Sequence, residues 1–326
     1  MISGMKIKTV LSFLSIMLLL QGYSYAQKPV TYKTEMESNN NKDASITGPA
    51  GSVVAVAEGK ANKDSATTRG NFLTGKYATA NRLYFRMIDS MVKVISEYPI
   101  QDSAGLSYAA DWVGTPNMGL RRPNYVIIHY TATNGFDEVL QEFMATGGRE
   151  ASAHYVICKD GTVYHMLNDL LRSHHAGDSK WGNTTDLNSS SIGIEVVNNG
   201  YEAFTNEQMN SLTILLERLK TAYKIPDANF LGHGDIAPTR KSDPGKQFPW
   251  QDLSKKGFGL WWDDTTNVQI PDNFDYLMAL RIIGYDISAP ASAVAAFKRH
   301  FMQDNSGGSM NAVVRKVIYT LYRKFE

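Results

Sequence analysis

Six of the seven histidines in this 326-residue chain fall between positions 129 and 233: His129, His154, His165, His174, His175 and His233; only His300 lies outside. Neutral imidazole is the commonest protein ligand for zinc and titrates near physiological pH, so such clustering suggests a metal site, although a single histidine also serves as a hydrogen-bonded core residue. The densest chemistry runs from Leu231 to Gly245, where His233, Asp235, Arg240, Lys241 and Asp243 stand among glycines and prolines. A loop of that composition holds functional groups on a scaffold. Lys241 and Asp243 are two apart, so in extended chain a cation and a carboxylate point the same way. Glu195 stands on the apolar run Ile192 to Val197, where an uncompensated carboxylate is costly to bury. Facing a metal site would offset that cost; a sheet edge or a solvent-facing position would also do so.

These residues need elements to position them. Tyr125 to Tyr130 is a continuous apolar run after Pro123, the pattern of a buried strand, and it ends on His129 and Tyr130. Phe136, Val139, Leu140, Phe143 and Met144 mark a helix. Strands at His154 to Cys158 and Thr162 to Met166 flank Lys159, Asp160 and Gly161, and Asp-Gly between apolar runs signals a hairpin. Thr205 and Gln208 form a capping box ahead of a helix that ends before Pro226, and a last strand near Phe230 delivers His233. This order predicts an α/β (α+β) domain over 114–253 with a central mixed β-sheet flanked by helices. Over 254–326, Phe274 to Ile283, Ala291 to Phe301 and Met310 to Tyr322 read as three helices of a small C-terminal domain, with Pro290 suited to a helix start. Leu83, Met87, Met91, Val94 and Ile95 predict one amphipathic helix, packed on the main domain, within an N-terminal extension over 71–113.

Net charge is +1, from 33 basic and 32 acidic residues, which gives no global electrostatic case for nucleic acid. Lys6 and Lys8, the apolar run Val10 to Leu20 and Ser24-Tyr25-Ala26 read as a secretory signal over 1–26, with an apolar run shorter than the ~20 residues of a spanning helix. Residues 27–70 have the polar, small-residue composition of a flexible linker. The expected product is a secreted or periplasmic monomer with no lipid-anchor cysteine near the cleavage site. Cys158 is the only cysteine, which excludes intramolecular disulfides and multi-cysteine zinc sites. Its apolar setting reads as that of an inert core thiol.

The segment His233 to Gly245, with Ser191 to Glu195 and Val126 to His129 in order before it, resembles the zinc N-acetylmuramoyl-L-alanine amidases of the AmpD type, relatives of phage amidase lysozymes and animal peptidoglycan recognition proteins. The resemblance covers Arg121 to Leu253. It implies one Zn2+ ion held by His129, His233 and Asp243, with Glu195 as general base and Lys241 as the cation beside the scissile carbonyl. Two imidazoles and one carboxylate leave a fourth tetrahedral position open, the pattern of a catalytic rather than a structural zinc. The implied reaction is hydrolysis of the amide between N-acetylmuramic acid and L-alanine in peptidoglycan or muropeptides. His175, within His174 to Gly177, resembles a substrate-pocket segment, and His154 is a second candidate for substrate contact or a structural residue. Asp235 is placed either to orient His233 or to cap the following turn.

There are departures from the family pattern. Ala153 stands where phage-type relatives carry a catalytic tyrosine, which leaves base duty to Glu195, and Lys159 stands where some members use an arginine for a stem-peptide carboxylate. The C-terminal segment loosely resembles three-helix peptidoglycan-binding domains; a helical cap is the other reading. A wall-binding protein without hydrolysis, or a regulator docking on another protein, are the rival functions.

Overall fold

Five short runs of β-branched and aromatic residues pair into one mixed sheet, and their register decides which residues face the site. The computed structural model describes residues 72–96, 119–145 and 150–326. The expected signal, the linker and much of the extension lie outside the described residues. Strand β1 (Tyr125–Tyr130) is central, parallel to β4 (Ser191–Val196) on one side and to β5 (Phe230–Gly232) on the other. Strand β2 (Tyr155–Ile157) is parallel to β4 and antiparallel to β3 (Val163–His165), giving the order β3-β2-β4-β1-β5. The hairpin turn forms as expected, with Asp160 Oδ1 accepting from Thr162 N at 2.9 Å and Gly161 at φ +82°.

Side chains alternate across a strand, so each face collects its own set. Val126, Ile128, Tyr155, Ile157, Ile192, Ile194 and Val196 face helix α4 (Asn206–Tyr223), whose Leu212, Leu215, Leu216 and Leu219 complete a buried apolar layer. Each fully buried side chain of this kind contributes roughly 1.5–3 kcal/mol. Helix α4 is fastened at its start by the capping box. Thr205 Oγ1 accepts from Gln208 N at 3.1 Å, Gln208 Oε1 accepts from Thr205 N at 3.0 Å, and Gln208 Nε2 donates to Val197 O at 2.7 Å, tying the helix to the end of β4. Ile127, His129, Gly193 and Glu195 alternate with the first set and so take the opposite face, where the register pairs Ile127 with Gly193 and His129 with Glu195.

Helix α1 (Ala78–Ile95) forms where its spacing predicts, but only Ala78 in it is buried. Leu83, Met87, Met91, Val94 and Ile95 are exposed, and the helix docks through residues just before it: the Tyr77 ring meets Phe136 and Tyr164 edge-on, and Lys76 pairs with Asp137 at 2.9 Å. Apolar periodicity identified the face correctly but not a partner for it. Helix α2 (Phe136–Met144) follows β1, helix α3 (Leu187–Ser190) leads into β4, α5 (His233–Ile236) leaves β5, and α6 (Trp250–Ser254) follows the 231–245 loop.

The three C-terminal helices are present as α7 (Tyr276–Ile283), α8 (Pro290–Met302) and α9 (Ala312–Tyr322). Asp275 caps α7, Pro290 opens α8 and Asn311 caps α9. They do not stand apart from the sheet. Leu280, Ile283, Phe297, Ile318 and Leu321 share one buried cluster with Ile127, Leu231 and Ile236, and Gly284 is pressed against Trp181 so closely that a Cβ would lie 2.3 Å from its ring. Among the described residues, no helix is long and apolar enough to cross a membrane.

Candidate metal centre

Three parallel strand ends bring the chemistry together. His129 is the fifth residue of β1, Glu195 lies beside it on β4, and His233 comes immediately after β5, as the first residue of α5. The loop beyond α5 folds back because Gly234 N donates to Asp243 O at 2.8 Å and Lys241 N to Ala237 O at 2.9 Å. Gly232 allows that return: a Cβ there would lie 2.7 Å from Pro244 Cδ. Asp243 thereby arrives beside the two histidines.

His129 Nδ1 and His233 Nδ1 are 3.0 Å apart, and each lies 3.1 Å from Asp243 Oδ2. All three residues are buried, and their ligand atoms lie within 4.8 Å of one another. A tetrahedral zinc with bonds of about 2.0–2.1 Å holds its ligands about 3.3 Å apart, so the spacing and the donor set fit such an ion. Burial, then the neighbouring His233, pushes the His129 imidazole down to about 4, which keeps it in the neutral form a metal needs. For Asp243, burial opposes the charge, but the close contacts with His129 and His233 outweigh it and hold the carboxyl well below the usual range.

Glu195 Oε1 lies 4.0 Å from His129 Nδ1, on the same side as the three candidate ligands. Its Oε2 is buried and has no hydrogen-bond partner. Burial, then the charge of Asp243, raises the Glu195 pKa well above the carboxylate range, while Lys241 pulls it back. Lys241 is half-buried, and its charge is felt at both Glu195 and His129.

The two candidates for substrate contact are both enclosed by protein groups, which for His154 is the structural one of its two readings. His154 is fully buried: Nδ1 accepts from Gly193 N at 3.0 Å and lies 2.9 Å from Ser173 Oγ, while Nε2 faces Leu171 O at 3.0 Å and Arg121 Nη2 at 2.8 Å. Both nitrogens are spent on the protein, so His154 is a structural knot between β2, β4 and the 169–173 segment. His175 lies behind His129, with its Nδ1 3.0 Å from His129 Nε2 and its Nε2 3.1 Å from Ser191 Oγ. It too offers neither nitrogen to a ligand. Gly193 makes room for it, since a Cβ there would lie 2.4 Å from the imidazole ring.

Asp235 does not touch the His233 ring. Its Oδ2 accepts from Gly232 N at 2.8 Å and from His300 Nδ1 at 2.7 Å, and its Oδ1 accepts from Tyr285 OH at 2.7 Å. The carboxylate therefore caps α5 and links it to the C-terminal helices, with His300 stacked on Trp250 at 4.0 Å. Sequence reasoning left His300 and Tyr285 without a role, and no spacing connects them to residue 235. Lys159 is paired with Glu202 at 2.8 Å, and Ala153 is fully buried.

The N-acetylmuramoyl-L-alanine amidase family model matches residues 119–246, which contain all of these strands and all three candidate ligands. The chain is 29% identical over 235 residues to N-acetylmuramoyl-L-alanine amidase AmiD of Escherichia coli K12, covering 63% of this chain and 84% of that one. The crystal structure of AmpDh3 from Pseudomonas aeruginosa superposes with a TM-score of 0.57 at 30% identity, covering 67% of this chain and 98% of that one. A complex of E. coli AmiD with the substrate anhydro-N-acetylmuramic acid-L-Ala-D-γ-Glu-L-Lys superposes with a TM-score of 0.56 at 27% identity, covering 65% and 93%. On this sequence, fold and arrangement of residues, the chain belongs to the N-acetylmuramoyl-L-alanine amidase family.

Proposed function

We propose that this amidase is zinc-dependent, with His129, His233 and Asp243 as ligands, Glu195 as general base and Lys241 as an electrostatic partner, and that it cleaves muropeptides between the lactyl group of muramic acid and L-alanine. The observation that carries this reading is the buried, unpartnered Glu195 Oε2 beside three converging ligand atoms. A carboxylate oxygen left without a partner in a native site asks for a functional reason. Zinc held by the three residues would polarise a carbonyl and lower the pKa of a water to about 7.

Glu195 accepts the proton of the attacking water and returns it to the amide nitrogen, so that L-alanine departs as a free amine and the lactyl group becomes a carboxylate. Lys241 sets a positive charge where the oxyanion develops. The AmiD complex, whose substrate carries an anhydro-muramic acid joined to a short stem peptide, supports muropeptides as the substrate class. Secretion to the periplasm or beyond is supported by Lys6, Lys8, the apolar run Val10 to Leu20 and the small residues at 24–26.

The test is digestion of purified muropeptides with the full chain, followed by mass analysis of the released stem peptide and metal analysis of the protein. One zinc per chain and free L-alanyl peptides are expected, both absent after His129→Ala. Peptide release that persists in His129→Ala and Glu195→Gln would refute the assignment.

A further inference from the structure

Behind the three candidate ligands lies a second layer of hydrogen bonds whose direction is set by its ends. Leu187 O can only accept, and Ser191 Oγ is in hydrogen-bond contact with it, so the one hydroxyl proton of Ser191 is committed there. Ser191 Oγ is then an acceptor towards His175 Nε2 at 3.1 Å, and that nitrogen must carry the hydrogen. A neutral imidazole carries one hydrogen, so with that hydrogen on Nε2 the His175 Nδ1 is bare. That bare nitrogen accepts from His129 Nε2–H at 3.0 Å. A neutral His129 with its proton on Nε2 presents a lone pair at Nδ1, the atom that faces His233 and Asp243.

The second histidine is treated the same way. His233 Nε2 faces Ala176 O at 3.1 Å, which can only accept, so this ring also carries a proton on Nε2, and in the neutral form that a metal ligand takes it turns a bare Nδ1 inward. One dipeptide thus serves both rings, through the side chain of His175 and the carbonyl of Ala176. Its backbone is pinned from a single point: the N–H groups of His175 and Ala176 donate to Asn188 Oδ1 at 3.0 and 2.8 Å. Asn188 lies on α3, the same short helix whose Leu187 carbonyl ends the chain of hydrogen bonds. Gly193 supplies the space for the His175 ring.

We propose that Asn188, His175, Ala176 and Ser191 form one positioning element that commits both His129 and His233 to metal binding through Nδ1. The element rests on the zinc reading above and acts through the ligands, not on substrate. Outer partners of metal-bound histidines fix ring orientation and tautomer, and their loss typically costs about 10–100-fold in metal affinity.

The test uses the full chain with and without added Zn2+. Long-range 1H–15N correlation of the imidazole rings is expected to show the proton on Nε2 in His129, His175 and His233 of the wild type; a proton on Nδ1 of His175, with Nε2 bare, would overturn the proposal without any variant. Chelator competition is expected to show zinc binding weakened about 10–100-fold in Ser191→Ala and in Asn188→Ala, and restored in Asn188→Asp, which keeps the acceptor oxygen. Thermal melting of the zinc-free variants separates this from unfolding. Zinc affinity within twofold of wild type in both folded alanine variants would overturn the positioning role. Failure of the wild type itself to bind zinc would instead overturn the zinc reading.

Discussion

The two faces of the central sheet are built from the same strands but obey different rules. On the α4 face, the buried residues of β1 and β4 in the core cluster are aliphatic, and they pack against the leucines of α4 together with Phe230, Phe248, Trp250, Leu253 and Phe258. On the other face, the alternate positions of those same strands hold Ile127, His129, Gly193 and Glu195, and His129 and Gly193 meet His154, His175, His233 and Asp243, which come from separate segments of the chain. One face is replaceable apolar volume. The other is a set of hydrogen bonds and charges around His129, His233 and Asp243, beside which one oxygen of Glu195 is buried without a partner. Apolar packing and chemistry are thus divided between the even and the odd residues of the same strands.

The sharpest way to break this division is Glu195→Gln. General acid–base groups contribute about 10²–10⁴-fold, so muropeptide turnover should fall by that factor while thermal stability holds or rises, because a buried carboxylate without a partner costs free energy. A melting temperature that drops along with activity would mean that Glu195 is structural. Leu216→Ala on the opposite face should do the reverse. Removing a fully buried leucine costs about 2–5 kcal/mol of unfolding free energy, measured in denaturant, while zinc affinity of the folded protein stays within about twofold.

A pH series tests the polar face without zinc. Burial, the largest influence, holds the His154 pKa down to about 4 against an ordinary 6.5, so between these values the unfolded chain binds more protons than the folded one. Stability in the presence of chelator should therefore rise with pH through that window and fall on acidification, by up to a few kcal/mol per such histidine. A flat profile between pH 6.5 and 4 would argue against the buried neutral imidazole. The smallest effect belongs to the edge of the polar face: Tyr285→Phe removes one hydrogen bond to Asp235 and should cost about 1–2 kcal/mol, with a smaller loss of zinc affinity through α5. Loss of stability with no change at the metal would show that the C-terminal helices brace the fold but not the site.

Much of this architecture was legible from local pattern. The capping box of α4, the Asp-Gly hairpin and Pro290 at the start of α8 each involve residues within a few positions of one another, so spacing alone identified them. His129 at a strand end was legible for the same reason. The arrangement of His154 and His175 was not, because a histidine behind a candidate metal ligand and a histidine in an open pocket occupy the same kind of sequence. The apolar stripe of α1 and those of α7 to α9 looked alike in sequence, yet the first is exposed among the described residues and the others share a core with Ile127 and Leu231.

By itself, then, the sequence determined which elements form, which of their faces are apolar, and which side chains have the chemistry for a metal-dependent amidase. Those properties depend on periods of two and 3.6 residues and on short motifs, which are local in the chain. Only the tertiary structure decided that Asp235 belongs to Tyr285 and His300, that His175 supports His129, and that one core joins the sheet to the last three helices. Contacts spanning 46 to 65 residues leave no periodic trace, because they are chosen by which surfaces meet once the chain has folded.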